Sequence, residues 1–201
     1  MVLLQDLSEQ LKIDDPEERQ IISSVSWEQY EALLNDLGDS PAYRVTFLDE
    51  TLEIMAPSRR HEVSTENIGR LLEAYLEEKR IRFWGLGSTT FRKTLKRGGT
   101  EPDKSYCLET EKEFPDLAIE VIVTSGGLDK LEVYRRLGVA EVWFFQKNSF
   151  SVHCLHGKSY EQVLASELLP DLDLVMLAEY AMQPDPLEAL IEYRSKVRGH
   201  E

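Results

Sequence analysis

The 201-residue sequence predicts an α/β (α+β) fold built around a mixed β-sheet flanked by helices. Three observations carry this. Hydrophobic periodicity switches between the period of 2 of a strand and the 3.6 of a helix along the chain. The run "PDLAIEVIV", Pro115 to Val123, is aliphatic on both faces, as a strand inside a sheet covered on both sides would be. Helical stretches stand between the strand runs. With 42% hydrophobic and 30% charged residues, the composition suits a single domain over residues 1–201 with a well-formed core.

Residues 1–20 are polar and acidic with weak periodicity and are expected to form an arm. In "SWEQYEALLNDLG", Ser26 and Gln29 make a capping-box pattern and Gly38 a stop, which predicts a helix. "YRVTFLDETLEIMAPS" alternates with period 2 on both sides of Asp49-Glu50 and reads as a β-hairpin. A longer helix is expected from Arg60 to Lys79, with Ile68, Leu71, Leu72, Tyr75 and Leu76 as its core stripe. A strand at "IRFWGLGSTTFR", a polar loop through Gly98-Gly99 and a short strand around "EPDKSYCL" come next, followed by the strand Leu117 to Val123. "GGLDKLEVYRRLGV" reads as a short helix entered through Gly126-Gly127 and stopped at Gly138, and "AEVWFFQ" as a further buried strand. "FSVHCLHGKSYEQV" has the pattern of a second hairpin, and "DPLEALIEYRSKVR" that of a terminal helix within 185–201.

Several function classes lack their signatures. No stretch reaches the roughly 18 apolar residues of a membrane span, and the N-terminal "MVLLQDLSEQLKIDD" carries acids where a secretory signal has bases, so a cytoplasmic protein is expected. Cys107 and Cys154 have no CxxC partner and are expected to be reduced, packed thiols. "GLGSTT" is neither GxGxxG nor GxSxG, and "HCLH" lies in an alternating strand pattern without a partner cluster. The net charge of -14 opposes nonspecific binding to polyanions, yet Arg80 to Gly99 contains Arg82, Arg92, Lys93, Lys96 and Arg97 and no acid. A local basic stripe can exist on an acidic protein.

Glu120 is the anomaly in the central strand. An ionised carboxylate buried there costs several kcal/mol, on the order given for an unpaired interior charge, unless cations or hydrogen bonds compensate. Asp103, which follows the ladder-breaking Pro102 in "EPDKS", lies in a short strand that could pair beside it. Two carboxylates side by side repel, so one holds a proton or both bind a divalent cation; Mg²⁺, with Mn²⁺ as a substitute, suits such hard oxygen donors. Lys130 opens the following helix and could return towards the sheet to orient a water or neutralise developing negative charge. Its bland reading is a solvated helix lysine. His61 falls near the centre of the long helix's apolar stripe and Glu62 at its edge, either as members of the same pocket or as a core histidine and a first-turn acid.

"EPD", then "IEV", then a lysine resembles the restriction-endonuclease-like superfamily with its PD…(D/E)xK signature. More closely, "SWEQYEALL", "APSRRHEVSTENIGRLL", "EPDKSYCL" and "PDLAIEVIVTSGGLDKLEVYRRLGVAEVWFF" resemble the Uma-two family of endonucleases over about residues 24–180. The resemblance implies a restriction-endonuclease-like core with added hairpins, and hydrolysis of phosphodiester bonds, DNA ahead of RNA, by a metal-activated water. Asp103 and Glu120 match the family's metal-binding acids. The superfamily lysine two residues beyond the acid is Ile122 here, and the family's lysine on the next helix is matched by Lys130. His61 and Glu62 are further candidates for the catalytic site. Arg82, Arg92, Lys93, Lys96 and Arg97 are the expected contacts to phosphates, and a homodimer is compatible with this reading. The competing class is a binding or regulatory protein that keeps the fold without turnover; it would account for the charge and for Ile122.

Overall fold

The computed structural model describes residues 19–38, 42–93, 97–123 and 127–199. Lys96, Gly126 and the arm up to residue 18 lie outside them. In chain order the elements are β1 (Arg19–Ser23), α1 (Trp27–Leu37), β2 (Arg44–Leu48), β3 (Thr51–Met55), α2 (Arg59–Glu78), β4 (Phe83–Gly85), β5 (Phe91–Lys93) and β6 (Gly98–Thr100). They continue with β7 (Lys104–Leu108), β8 (Leu117–Ile122), α3 (Lys130–Leu137), β9 (Glu141–Gln146), β10 (Ser149–His156), β11 (Ser159–Val163), α4 (Leu174–Ala181) and α5 (Pro186–Arg198). The fold is α+β, and its strands form two sheets where the sequence predicts one. The chain divides into two compact units.

The first unit holds the chain up to Arg59, Thr90–Glu101 and the segment that ends at Leu137. Its sheet has the order β1-β3-β2-β6-β5, with every pair antiparallel. The capping box forms as predicted: Gln29 N–H donates to Ser26 Oγ at 3.3 Å, and the Ser26 N–H to Gln29 Oε1 at 2.8 Å. Trp27, Tyr30, Leu33 and Leu34 of α1 share a core with Val45, Phe47, Leu52 and Ile54, and Tyr30 stacks on Phe47 with centroids 4.9 Å apart. Asp49 takes φ 56 in the two-residue turn of the β2–β3 hairpin, a conformation that short polar side chains tolerate.

Two predicted elements are corrected here. The single strand at "IRFWGLGSTTFR" is broken into β4 and β5, which belong to different sheets. Gly87 adopts φ 58, and the Thr89 N–H and hydroxyl both turn back to the Leu86 carbonyl, closing a turn where continued pairing was expected. Gly98-Gly99, predicted as a loop, is strand β6 between β2 and β5. A Cβ at Gly99 would run into the Tyr30 phenol, so the bare glycine lets the strand lie against that ring.

The second unit holds residues 60–89, 102–123 and the chain from Gly138 onward. Its sheet has the order β11-β10-β9-β8-β7-β4, with only β8 and β9 parallel. The α2 stripe is buried as read, and Leu117, Ile119 and Val121 of β8 join it in one core with Trp143 and Phe145. The β10–β11 hairpin forms around Gly157, at φ 63. Helix α4 and strand β1 go beyond the sequence reading. Cys107 and Cys154 are buried free thiols. Among the described residues, no helix is long and apolar enough to cross a membrane.

Charge ties secure the first unit's hairpin. Arg136 grips Asp49 through two nitrogens at 2.7 and 2.9 Å, while Arg135 and Arg136 both bond Glu132. The Arg135 bonds are the main cause holding the Glu132 carboxyl at about 2 against an ordinary 4.5, and the Arg136 bonds likewise lower Asp49. Because these folded values are depressed, the stabilisation is complete above pH 4.5 and is lost as pH falls towards about 2. Urea midpoints measured between pH 6 and pH 2 should fall across that window, and Glu132→Gln should flatten part of the fall. Gly99→Ala should cost about 1–3 kcal/mol in the same assay, because its methyl must displace the packed Tyr30 ring.

Candidate active site

Strand β8 lies between β7 and β9, so both of its edges are paired. Lys104 pairs with Ile119, and that antiparallel register continued by one residue sets Asp103 opposite Glu120. Pro102 cannot donate to a ladder, and the pairing is extended by a side chain instead. The Val121 N–H donates to Asp103 Oδ2 at 2.7 Å. Asp103 is 4% exposed and Glu120 6%. Of the two carboxylates suggested by the sequence, Glu120 is thus carried on β8 and Asp103 by the residue just before β7.

His61 approaches from the third residue of α2. It is 1% exposed, on the buried face with Thr65, Ile68 and Leu72, and its Nε2 lies 3.1 Å from Asp103 Oδ2. That contact strengthens when the imidazole is protonated. The His61 Nδ1 lies 3.8 Å from Glu62 Oε1, and the Glu62 side chain is 43% exposed. Glu62 therefore approaches the histidine from the solvent side, while Asp103 meets it in the interior.

A divalent cation can be judged against this donor set. Among the described residues, no three or more His, Cys, Asp or Glu side chains are arranged to hold a metal ion. Asp103 and Glu120 are two buried carboxylates, and so hard oxygen donors. That fits Mg²⁺, which is commonly held by one or two carboxylates with water and substrate phosphate completing its shell. It does not fit a structural zinc site, which closes four protein ligands around the metal.

Lys130 belongs to the first unit, where it is half-buried and its Nζ donates to Thr100 Oγ1 at 3.3 Å. The solvated surface lysine of the bland reading is replaced by one directed at its own sheet. Beside it, Glu101 accepts from the Thr90 hydroxyl at 2.8 Å and from the Val45 N–H at 3.4 Å. Burial pushes the Glu101 carboxyl up, against the lowering effect of those bonds and of the Arg44 and Lys130 charges. Glu101, Thr100 and Glu53 were missed in the sequence. Glu53, 2% exposed in the run "TLEIM", carried the same signal as Glu120, an acid among aliphatic strand residues.

The basic residues are dispersed. Arg82 is exposed on the second unit, and the others that are described belong to the first. Lys93 Nζ donates to the Leu137 carbonyl at 2.5 Å, at the C-terminal end of α3 where a cation is favoured. Arg92 lies 3.9 Å from Glu31 and Arg97 3.4 Å from Glu50.

Comparison with known proteins decides the family. The profile of the Uma2 family, described as "Putative restriction endonuclease", matches residues 27–183. The chain belongs to the Uma2 family. The resemblance read from the sequence is borne out, and the Uma2 match spans His61, Glu62, Asp103, Glu120 and Lys130 while leaving β1 and α5 outside it. A crystal structure described as "a putative nuclease belonging to DUF820", from Anabaena variabilis ATCC 29413, is similar over 81% of this chain and 97% of that one, at 13% identity and a TM-score of 0.44. A search of curated proteins finds no match.

Asp103 has a structural bond as well as a candidate ligand role, and substitutions separate the two. Asp103→Asn keeps an oxygen for the Val121 N–H and should leave stability near that of the parent in metal-free buffer. Asp103→Ala leaves that buried donor without its acceptor and should cost about 1–3 kcal/mol in urea unfolding.

Proposed function

We propose that this Uma2 protein is a metal-dependent endonuclease that hydrolyses phosphodiester bonds, DNA being the expected substrate. What supports the reading is that Asp103 and Glu120 are both buried and that the β7–β8 register, continued by one residue beyond Lys104 and Ile119, sets them opposite each other. Burying two acids side by side is costly, and shared coordination of a cation offsets the cost.

Asp103 and Glu120 would hold Mg²⁺, or Mn²⁺ in its place. When bound, the ion would polarise the scissile phosphate and lower the pKa of an attacking water. His61 would keep the Asp103 carboxylate oriented through its Nε2, 3.1 Å away, and Glu62 lies 3.8 Å from the other ring nitrogen. Lys130 would counter the negative charge that grows on the phosphate during attack, in place of the lysine that Ile122 replaces. Arg82, Arg92 and Arg97 would hold backbone phosphates, each first releasing any acidic neighbour, so binding should be weak and strongly salt-dependent.

The test is Mn²⁺ binding by calorimetry, together with cleavage of duplex, single-stranded and branched DNA. Asp103→Asn and Glu120→Gln should each lose both metal binding and cleavage while remaining folded. Lys130→Met should keep metal affinity near that of the parent and lose roughly 10²–10³ in rate, as when one preorganised electrostatic stabiliser is removed. A parent protein that binds no Mn²⁺ and cleaves none of these substrates would instead favour the noncatalytic binding protein.

A further inference from the structure

Within its own unit Lys130 is held at its tip, and the segment that precedes it is held as well. At the tip, its ammonium donates to Thr100 Oγ1 at 3.3 Å, and Thr100 Oγ1 lies 3.0 Å from Thr46 Oγ1, both threonines being fully buried on paired strands. An ammonium can only donate, so Thr100 accepts from it, while either hydroxyl can be the donor between Thr100 and Thr46. At the root, the Glu53 carboxylate reaches across to the segment that leads into α3. Its Oε2 accepts the Leu128 N–H at 2.7 Å, and its Oε1 lies 3.2 Å from the Arg19 guanidinium. A Cβ at Gly127, where φ is 131, would collide with the Glu53 carboxylate, so the backbone approaches as closely as a glycine allows.

We propose that Thr100 and Glu53 are positioning residues for Lys130, fixing respectively its amine and the start of the helix that carries it. The proposal rests on the reading of Lys130 as a charge-stabilising residue in phosphodiester hydrolysis. A lysine has four rotatable side-chain bonds, and holding its ammonium in one place raises its worth to a transition state over that of a mobile surface cation. Two buried groups of the same unit, one on the sheet and one beneath the helix entry, leave the amine little range.

The experiment uses the full chain and the variants Thr100→Val, Thr100→Ser and Glu53→Gln, with two readouts. The first is acetylation of Lys130 by limiting acetic anhydride, followed by mass spectrometry relative to the exposed Lys147 and Lys158. The second is steady-state cleavage of DNA. Thr100→Val should raise Lys130 acetylation several-fold, on the order expected for releasing an amine from a buried acceptor, and Thr100→Ser should return it to the parent value. In cleavage, Thr100→Val should lower kcat by about tenfold to a hundredfold with KM changed less than about twofold, and serine should restore it. Glu53→Gln should raise Lys130 acetylation while leaving Mn²⁺ affinity unchanged.

Parent-like acetylation of Lys130 in Thr100→Val would overturn the positioning proposal, whatever the cleavage assay reports. Raised acetylation with an unchanged kcat would overturn the link between placement and turnover. Cleavage at the parent rate by Lys130→Met would sink the hydrolytic role of the lysine, and the acetylation arm would still decide whether Thr100 and Glu53 hold it.

Discussion

The bond from the Val121 N–H to the Asp103 carboxylate is the constraint on which the candidate site depends. It does with a side chain what the backbone ladder does not do before Lys104, and so fixes both the start of β7 and the direction of one acid. Register then places Glu120 opposite, and the amphipathic turn of α2 places His61 within 3.1 Å of the same carboxylate. Pro102 matters for what it lacks, since without a backbone donor the strand edge is left to Asp103.

Two other buried acids, Glu141 and Glu53, also accept from backbone N–H groups. Glu141, at the start of β9, accepts from the Trp143 indole, the Cys154 thiol and the Glu167 and Leu168 amides, pinning the loop that follows β11. Burial, with the adjacent Glu141, pushes the Cys154 thiol up to about 12, so this cysteine is a packed donor with little thiolate character. Glu53 serves the entry to α3 in a similar way, with Arg19 balancing its charge. Glu120 is buried as they are, and the β7–β8 register continued by one residue sets it opposite a second buried acid, Asp103.

The acidic balance of the chain also bears on function. A net charge of -14 is spread over a molecule whose described basic residues are largely engaged, Lys93 at a helix terminus and Arg135 and Arg136 with Glu132 and Asp49. The exposed pairs of Arg92 with Glu31 and of Arg97 with Glu50 contribute little to stability and exchange readily, so a polyanion can compete for both arginines at low salt. Such a surface suits contacts formed at a particular site better than general attraction to nucleic acid.

The sequence by itself determined the elements whose signals are local. The capping box at Ser26, the apolar stripe of α2, the two hairpins and the buried run of β8 are each written within a few residues, and so was the anomaly of Glu120. The family was legible as well, because its motifs are long and their spacing is specific. Tertiary structure decided where signals depend on partners distant in the chain. Gly98-Gly99 became a strand because β2 and β5 flank it and Tyr30 fills the space where Gly99 has no side chain, and the run after Ile81 was divided between two sheets. The environment of Lys130 was equally hidden, since Thr100 lies 30 residues before it and Glu53 reaches Leu128 across 75. Periodicity reports which face of an element is apolar, whereas the partner of a buried polar group is chosen by packing.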